Sequence, residues 1–172
     1  GSLAAALRGL DCPIVYPFFM AEGVFTGHTL PSRLGAVAPK ARQVAPFGKD
    51  PARPALMARA ALEGARSHGL DLANTTLLLA AHGSKISSTS KDSALDMVRK
   101  LAGLTSFRQV CAGFIEEMPF LEHAARGLGP AICLPFFATR AGHVEIDVPR
   151  ALAHAGFSGP LLASIGEHPG VP

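Results

Sequence analysis

Short apolar runs, closed by polar residues or proline, alternate with amphipathic stretches along most of the chain. An uninterrupted apolar run is typical of a strand buried on both faces of a parallel sheet, whereas apolar residues three and four apart indicate a helix. We predict six strands, at residues 12–19, 42–45, 77–81, 109–115, 131–137 and 160–164. We predict helices at residues 28–38, 51–67, 92–101, 119–127 and 144–155, the second of them capped by Asp50 with Pro51 at its first position. This alternation indicates an α/β fold with right-handed crossovers between parallel strands.

The chain carries one motif twice, 118 residues apart. Ile-Val-Tyr-Pro-Phe-Phe at residues 14–19 returns as Ile-Cys-Leu-Pro-Phe-Phe at residues 132–137. A repeat of this length is too long for a solenoid and suits a duplicated half-domain. We therefore predict two similar lobes, each a parallel sheet flanked by helices. The first, at residues 1–73, is partial and lacks its N-terminal part, and the second spans residues 74–172.

Polar groups follow three strands of the predicted second lobe. His82 follows the first strand, Glu116 and Glu117 follow the next, and His143 lies in the loop after the third. Because the carboxyl ends of parallel strands share one edge of a sheet, we expect these groups to converge. Two imidazoles and a carboxylate suit a divalent first-row metal, and they also suit proton transfer near neutral pH. The alternative is that the histidines are ordinary loop residues and the glutamates a solvated helix start.

Glycines lie beside both candidate histidines. Gly83 and Gly142 would let backbone or ligand approach closely. His28 follows a glycine in the first repeat much as His143 does in the second, but its lobe lacks the strand that would supply partners. The remaining four histidines are interpreted as surface groups: His68, His123, His154 and His168.

Composition narrows the classes of function. The net charge is +3 and the isoelectric point about 9.0, but no basic run is dense enough to indicate nucleic-acid binding. No apolar run approaches the roughly 18 residues of a membrane span. The phosphate-binding loop, the dinucleotide-binding fingerprint and the serine nucleophile elbow are all missing from the sequence.

The three cysteines, Cys12, Cys111 and Cys133, each fall within a predicted strand, where a small apolar side chain fits. Three cysteines cannot all pair, and their spacing does not suggest a zinc site. They are therefore interpreted as free thiols, which favours a reducing cytoplasm as the location.

Three segments together resemble a known family. Leu-Leu-Leu-Ala-Ala-His-Gly-Ser at residues 77–84 resembles the opening strand of the class II tetrapyrrole chelatases, specifically the sirohydrochlorin chelatases of the CbiX and SirB type. Leu-Pro-Phe-Phe followed by Gly-His-Val-Glu-Ile-Asp-Val-Pro at residues 142–149 resembles the second histidine motif of that family. Gly-Phe-Ile-Glu at residues 113–116 is similar to its central strand. The segments occur in the family's order.

The resemblance implies an enzyme that inserts Fe²⁺ or Co²⁺ into sirohydrochlorin, toward siroheme or cobalamin, with the macrocycle between two lobes. It implies that His82, His143 and Glu116 handle the metal and carry catalysis. Glu117 is the rival of Glu116, because the stretch to Pro119 is shorter than the family pattern. No permanently bound cofactor is implied, since the metal is a substrate.

The substrate ring carries many carboxylates, so cationic and hydroxyl side chains near the motifs are expected to bind it. We expect Ser84, Lys85 and above all Arg140 in this role, although the serines and threonine of residues 84–90 could equally form a mobile loop. A homodimer is left open. Two other functions also stay open, a non-catalytic carrier of metal or tetrapyrrole and a degenerate lobe that supports a partner subunit.

Overall fold

The computed structural model describes residues 2–85, 88–140 and 142–171. Residues 86 and 87 of the polar loop predicted at 84–90 therefore lie outside the described residues. By contacts, the chain divides into two compact units, Gly1–Asp50 and Pro51–Pro172. The boundary at residue 73 was inferred from the repeat rather than from contacts, and it stays a prediction.

The first unit contains a two-stranded parallel sheet and short helices. Its elements are α1 (Leu3–Leu7), β1 (Ile14–Val15), a π-helical turn (Phe25–Thr29), α2 (Leu30–Val37), β2 (Arg42–Gln43) and a 3-10 turn (Phe47–Lys49). Strands β1 and β2 pair only over Ile14–Arg42 and Val15–Gln43. The long strand predicted at residues 12–19 is therefore wrong in extent, because a strand needs a neighbour along its whole length to stay regular. Cys12 lies outside the strand with φ +51°.

The second unit is a three-stranded parallel sheet covered by helices. Its elements are α3 (Arg53–Ser67), a 3-10 turn (Leu72–Asn74), β3 (Thr76–Ala81), α4 (Thr89–Leu104), β4 (Gln109–Phe114), α5 (Leu121–Ala125), β5 (Ala131–Pro135), a π-helical turn (His143–Asp147), α6 (Val148–His154) and a 3-10 turn (Ile165–Glu167). The strand order is β4-β3-β5. Ala80 of β3 is level with Gly113 of β4 and Pro135 of β5, so the three strands end at one edge. The predicted α/β fold with parallel strands is confirmed.

Two details of the second unit differ from the sequence prediction. The strand predicted at residues 160–164 is a single bridge between Leu161 and Cys133, so pairing ends after one residue. Helix α3 has Ala52 as its N-cap and a proline within its first turn, whereas Asp50 was predicted as the cap. The helix thus begins two residues later than predicted, with Pro54 rather than Pro51 in its first turn.

The core lies on both faces of strand β3, all six residues of which are buried. On one face, Leu78 and Ala80 pack against α5, α6 and β5 through a cluster that includes Leu121, Val148 and Leu152. Side chains alternate along a strand, so Leu77 and Leu79 project to the opposite face, where α3 and α4 lie. Burying a leucine side chain fully stabilises a fold by about 1.5–3 kcal/mol. Because β3 is packed on both faces, it holds rigidly the edge of the sheet at which His82 lies.

The 118-residue repeat is visible in the backbone. The π-helical turns Phe25–Thr29 and His143–Asp147 differ by this shift, as do the starts of α2 and α6. Gly48 and Gly166 are also related by it: a Cβ at either would overlap a backbone carbonyl, that of Met20 or that of Ala138. The two lobes thus share specific turns as well as a motif.

Candidate active site

The structure brings His82 and His143 into contact. His82 directly follows β3, and His143 opens the π-helical turn beyond β5. Their Nε2 atoms are 3.1 Å apart. The rings are nearly perpendicular, at 88°, with centroids 4.5 Å apart, and the Phe137 ring lies 6.5 Å from that of His82. The two imidazoles follow different strands, and each places its Nε2 atom beside that of the other.

The remaining nitrogen of each ring has an oxygen acceptor. His82 Nδ1 lies 2.9 Å from the Gly83 carbonyl oxygen, and His143 Nδ1 lies 2.8 Å from Asp147 Oδ2. A carbonyl and a carboxylate accept hydrogen bonds, so each Nδ1 carries the hydrogen and donates it. In the tautomers with hydrogen on Nδ1, both Nε2 atoms would present their lone pairs to the space between the rings. This arrangement leaves an electron-rich point that a cation would fill.

Asp147 lies beside the histidine pair, although its sequence motif alone did not distinguish it as a site residue. It lies four residues after His143 in a π-helical turn, where the Val148 N–H bonds back to the His143 carbonyl. The spacing of four residues places both side chains on one face of the turn. Such π-helical turns often occur at functional sites. The sequence signal for Asp147 was therefore its position four residues after a candidate histidine.

Glu116 and Glu117 have different surroundings. Glu117 Oε1 accepts the backbone N–H of Ser84 at 2.8 Å, and its Oε2 lies 3.6 Å from Lys91 Nζ. Glu116 Oε2 lies 3.3 Å from Lys85 Nζ, and this glutamate is more exposed than Glu117. Within the described ranges, no three histidine, cysteine or acidic side chains are grouped so that they could hold a metal ion. The structure therefore joins the two histidines without a glutamate as third ligand.

Arg140 pairs with an acidic neighbour on the surface. Its Nε lies 3.1 Å from Glu145 Oε1, and both side chains are exposed. The two residues line a pocket of about 360 Å³ together with Leu161 and Glu167. A second pocket, of about 270 Å³, is bordered by Asp147 and by the side chains of α5 and α6. Lys85 and Arg140 are thus exposed cations near the two histidine motifs.

Two expectations about neighbouring residues can be compared with the structure. Gly83 has φ +73°, and a Cβ there would lie 2.8 Å from Glu117 Cγ, whereas a Cβ on Gly142 would meet no described atom within 4 Å. A close approach of ligand to Gly142 stays a prediction. His168 is not a surface group, because its side chain is only 17% exposed and faces Glu63 at 3.9 Å.

The first repeat has no histidine at the position of His143. The shift of 118 residues that superposes the two π-helical turns places Phe25 there, whereas His28 falls opposite Ile146. Phe25 contacts Phe19, with ring centroids 5.1 Å apart, and both rings are partly exposed. The match of His28 to His143 was therefore wrong by three residues.

The cysteines are free thiols in the described part of the chain. Cys133 is buried in β5, Cys111 is partly buried in β4, and Cys12 is exposed. Burial raises the pKa of the Cys111 thiol to about 11 and raises that of Cys133 as well. These two side chains pack in the core and are poor candidates for metal ligands, which must be thiolates.

Among the described residues, no helix has the length and apolar character that crossing a bilayer requires.

Comparisons with known proteins agree with this geometry. A family model described as CbiX matches residues 76–171, more than half of the chain. The solved structure of CbiX, the terminal enzyme for biosynthesis of siroheme in denitrifying bacteria, is 46% identical with a TM-score of 0.90; the match covers 99% of this chain and 76% of that one. The comparison with curated proteins gives no match.

Two more distant structures share the fold. SirB from Bacillus subtilis, solved with Fe³⁺, has a TM-score of 0.72 at 17% identity, over 98% of this chain and 72% of that one. DR2241 from Deinococcus radiodurans, a multi-domain protein with structural similarity to chelatases, has a TM-score of 0.68 at 26% identity, over 98% of this chain and 41% of that one. The region that the family model matches contains both histidines, the ends of β3 and β5, and the π-helical turn that begins at His143. The chain therefore belongs to the CbiX family of tetrapyrrole chelatases, as its histidine and proline motifs indicated.

Proposed function

We propose that this protein inserts Fe²⁺ or Co²⁺ into sirohydrochlorin, in the synthesis of siroheme or cobalamin. The observation that carries the proposal is the pair of Nε2 atoms of His82 and His143, 3.1 Å apart with both Nδ1 atoms engaged. The CbiX enzyme to which the chain is 46% identical is described as the terminal enzyme of siroheme biosynthesis. Imidazole nitrogen suits both iron and cobalt, so the proposal includes both metals.

The distance between the two nitrogens suits a shared metal ion. A metal–imidazole bond is about 2.1 Å long in zinc sites, and two such bonds at a right angle place the nitrogens about 3.0 Å apart. The separation of 3.1 Å therefore matches two neighbouring positions of one coordination sphere. The hydrogen bonds at Nδ1 fix the orientation of each ring.

Two protein ligands make a site that can release its metal. A chelatase must transfer the ion to four ring nitrogens, so a closed site with more protein ligands would retain it. The open positions let the ring nitrogens bind before the imidazoles leave. The sparse ligand set also makes a dedicated metal carrier the weaker alternative, because a carrier gains from a closed site.

Metal insertion also releases two pyrrole protons. As each imidazole gives up the metal, its Nε2 lone pair becomes available to accept a proton from the ring. The ring thus exchanges two protons for one divalent ion, and the protons leave through the protein or solvent. We propose Glu116, which the resemblance implies in both metal binding and catalysis, as a group for proton transfer, and its role as a metal ligand stays a prediction. Lys85 and Arg140 remain candidates for binding the substrate carboxylates, with Ser84 in the same turn.

The test is a spectral assay of metal insertion into sirohydrochlorin under anaerobic conditions, with Fe²⁺, Co²⁺ and Ni²⁺ in turn. The full chain is compared with His143→Ala and with His68→Ala, which changes an exposed histidine on another surface. We expect His68→Ala to match the wild type and His143→Ala to lose most of the insertion rate. Insertion by His143→Ala at the wild-type rate would contradict the proposal. A loss of metal retention in a protein without insertion activity would indicate a carrier.

A further inference from the structure

Glu117 and Lys91 form a half-buried ion pair beside the turn that follows His82. Glu117 Oε2 lies 3.6 Å from Lys91 Nζ, and the two side chains are only 19% and 30% exposed. Lys91 Nζ also donates to the Met118 carbonyl oxygen at 2.5 Å and lies 5.7 Å from the centre of the Phe114 ring. The ammonium group is thus held from three sides, and it fixes the carboxylate in turn.

The other oxygen of Glu117 holds the turn itself. Oε1 accepts the Ser84 N–H at 2.8 Å, a hydrogen bond strengthened by the charge of the carboxylate. The Glu117 side chain also packs so closely on Gly83 that a Cβ there would lie 2.8 Å from Glu117 Cγ. Gly83 has φ +73°, in the left-handed region that favours glycine. Both contacts fix the orientation of the peptide between Gly83 and Ser84.

That peptide presents the carbonyl oxygen which orients His82. Gly83 O accepts the hydrogen on His82 Nδ1 at 2.9 Å. If the turn were released, the imidazole would lose this acceptor and would populate both tautomers. In the other tautomer Nε2 carries the hydrogen, so the nitrogen that faces His143 has no lone pair for a metal. A Glu117 side chain that holds this turn would therefore favour the tautomer in which His82 can bind a metal through Nε2.

We propose that Glu117, held by Lys91, is a positioning residue that keeps His82 in the tautomer with Nε2 free, and is neither a metal ligand nor the proton acceptor. This inference rests on the proposed function, because it takes the histidine pair to bind the metal substrate. It assigns different roles to adjacent glutamates, since Glu116 instead pairs with the exposed Lys85.

The tautomer of His82 is measured by ¹⁵N NMR on the full chain with labelled histidine, the signals being assigned with a His82→Gln variant. The affinity for Co²⁺ alone is measured by titration of its absorption spectrum. The variants are Glu117→Ala, Glu117→Gln and the control Glu122→Ala, which removes a surface carboxylate paired with Arg126. We expect Glu117→Ala to gain the Nε2–H tautomer and to bind Co²⁺ roughly tenfold more weakly. Glu117→Gln keeps an acceptor for the Ser84 N–H, so it should rescue both readouts, and Glu122→Ala should match the wild type.

Two outcomes would overturn the proposal. One is a Glu117→Ala protein with the wild-type tautomer and Co²⁺ affinity. The other is Glu117→Gln as impaired as Glu117→Ala, which would indicate a ligand or a proton acceptor. If Glu117→Ala does not fold, Lys91→Met replaces it, with a smaller gain of the Nε2–H tautomer expected and an unchanged tautomer counting against the proposal. Neither readout requires turnover, so a wild-type protein without insertion activity would contradict the proposed function and not this assignment.

Discussion

The Nε2 atoms of His82 and His143 lie 3.1 Å apart, although 61 residues separate the two histidines in the chain. Strands β3 and β5 are neighbours and end level, so their following loops start at the same edge of the sheet. The sheet topology therefore brings the two histidines together. Hydrogen bonds to Gly83 and Asp147 occupy their Nδ1 atoms and leave the Nε2 atoms facing each other.

Because both imidazoles bind the same ion in our proposal, their contributions to metal affinity should not be additive. We expect His82→Ala or His143→Ala alone to weaken Co²⁺ binding by more than about 100-fold, beyond what loss of an outer hydrogen-bond partner costs. The double variant should be little worse than either single one. Titration calorimetry of the four proteins checks this, and fully additive losses would indicate two separate weak sites.

Asp147 should be important for metal affinity without binding the metal. In Asp147→Ala the His143 Nδ1–H loses its acceptor, so we expect Co²⁺ binding to weaken by about 10–100-fold. Asp147→Asn retains an acceptor oxygen and should lose less. Asp96→Ala is the matched control, because this aspartate pairs with Lys100 on the surface of α4. Wild-type affinity in Asp147→Ala would remove Asp147 from the site.

Arg140 should attract and bind the anionic substrate. We expect Arg140→Gln to raise KM for sirohydrochlorin, to change kcat little and to reduce the dependence of KM on salt, because one cation is lost. Arg126→Gln serves as control, since Arg126 is a comparably exposed arginine paired with Glu122. Steady-state assays at several salt concentrations measure the effect. An unchanged KM across that range would contradict the role.

Gly83→Ala should destabilise the fold. The new Cβ would lie 2.8 Å from Glu117 Cγ, and alanine would have to adopt φ +73°. Left-handed backbone costs a residue with a side chain about 1–2 kcal/mol, before any steric term. Gly103→Ala in helix α4, where a Cβ meets no described atom within 4 Å, should instead stabilise by up to about 1 kcal/mol. Urea unfolding of both variants compares them, and equal stabilities would count against strain at Gly83.

The three thiols should differ in reactivity. Cys12 is exposed and should react with a thiol reagent within minutes at pH 8, whereas Cys111 and Cys133 should react only after unfolding. Burial raises the pKa of Cys111 from 9.0 to about 11, so the unfolded state loses its proton first. The contribution of the protonated Cys111 thiol to folding stability is therefore complete below pH 9 and declines between pH 9 and pH 11. Cys12→Ser should abolish the fast phase; a remaining fast phase would show that a buried thiol is accessible.

The sequence predicted best those elements whose residues are buried throughout. Strand β3 was predicted to within one residue, because its apolar run lies entirely in the core. The strands of the first unit were predicted far too long, since strand length depends on a neighbour and β1 is paired over two residues only. An apolar run in the sequence indicates that a strand is buried, but it does not indicate where the pairing of that strand with its neighbour ends.

The candidate site was predictable only in part for the same reason. His82 and His143 could be found because each follows a strand, and strand ends converge in this fold class. Asp147 lay within a quoted motif, but its contact with His143, like the contacts of Lys91, depends on distances that only the packed structure sets. Adjacent glutamates could not be separated in the sequence, because their difference lies in the direction of the two side chains after β4.

Phe25 stands in the first repeat where His143 stands in the second, so the two repeats differ chemically at the same turn. One copy offers nitrogen donors, whereas its counterpart offers hydrocarbon at the corresponding turn. Two equivalent repeats, each with its own histidine pair, would be expected to bind two metal ions. This chain should instead saturate with one equivalent of metal.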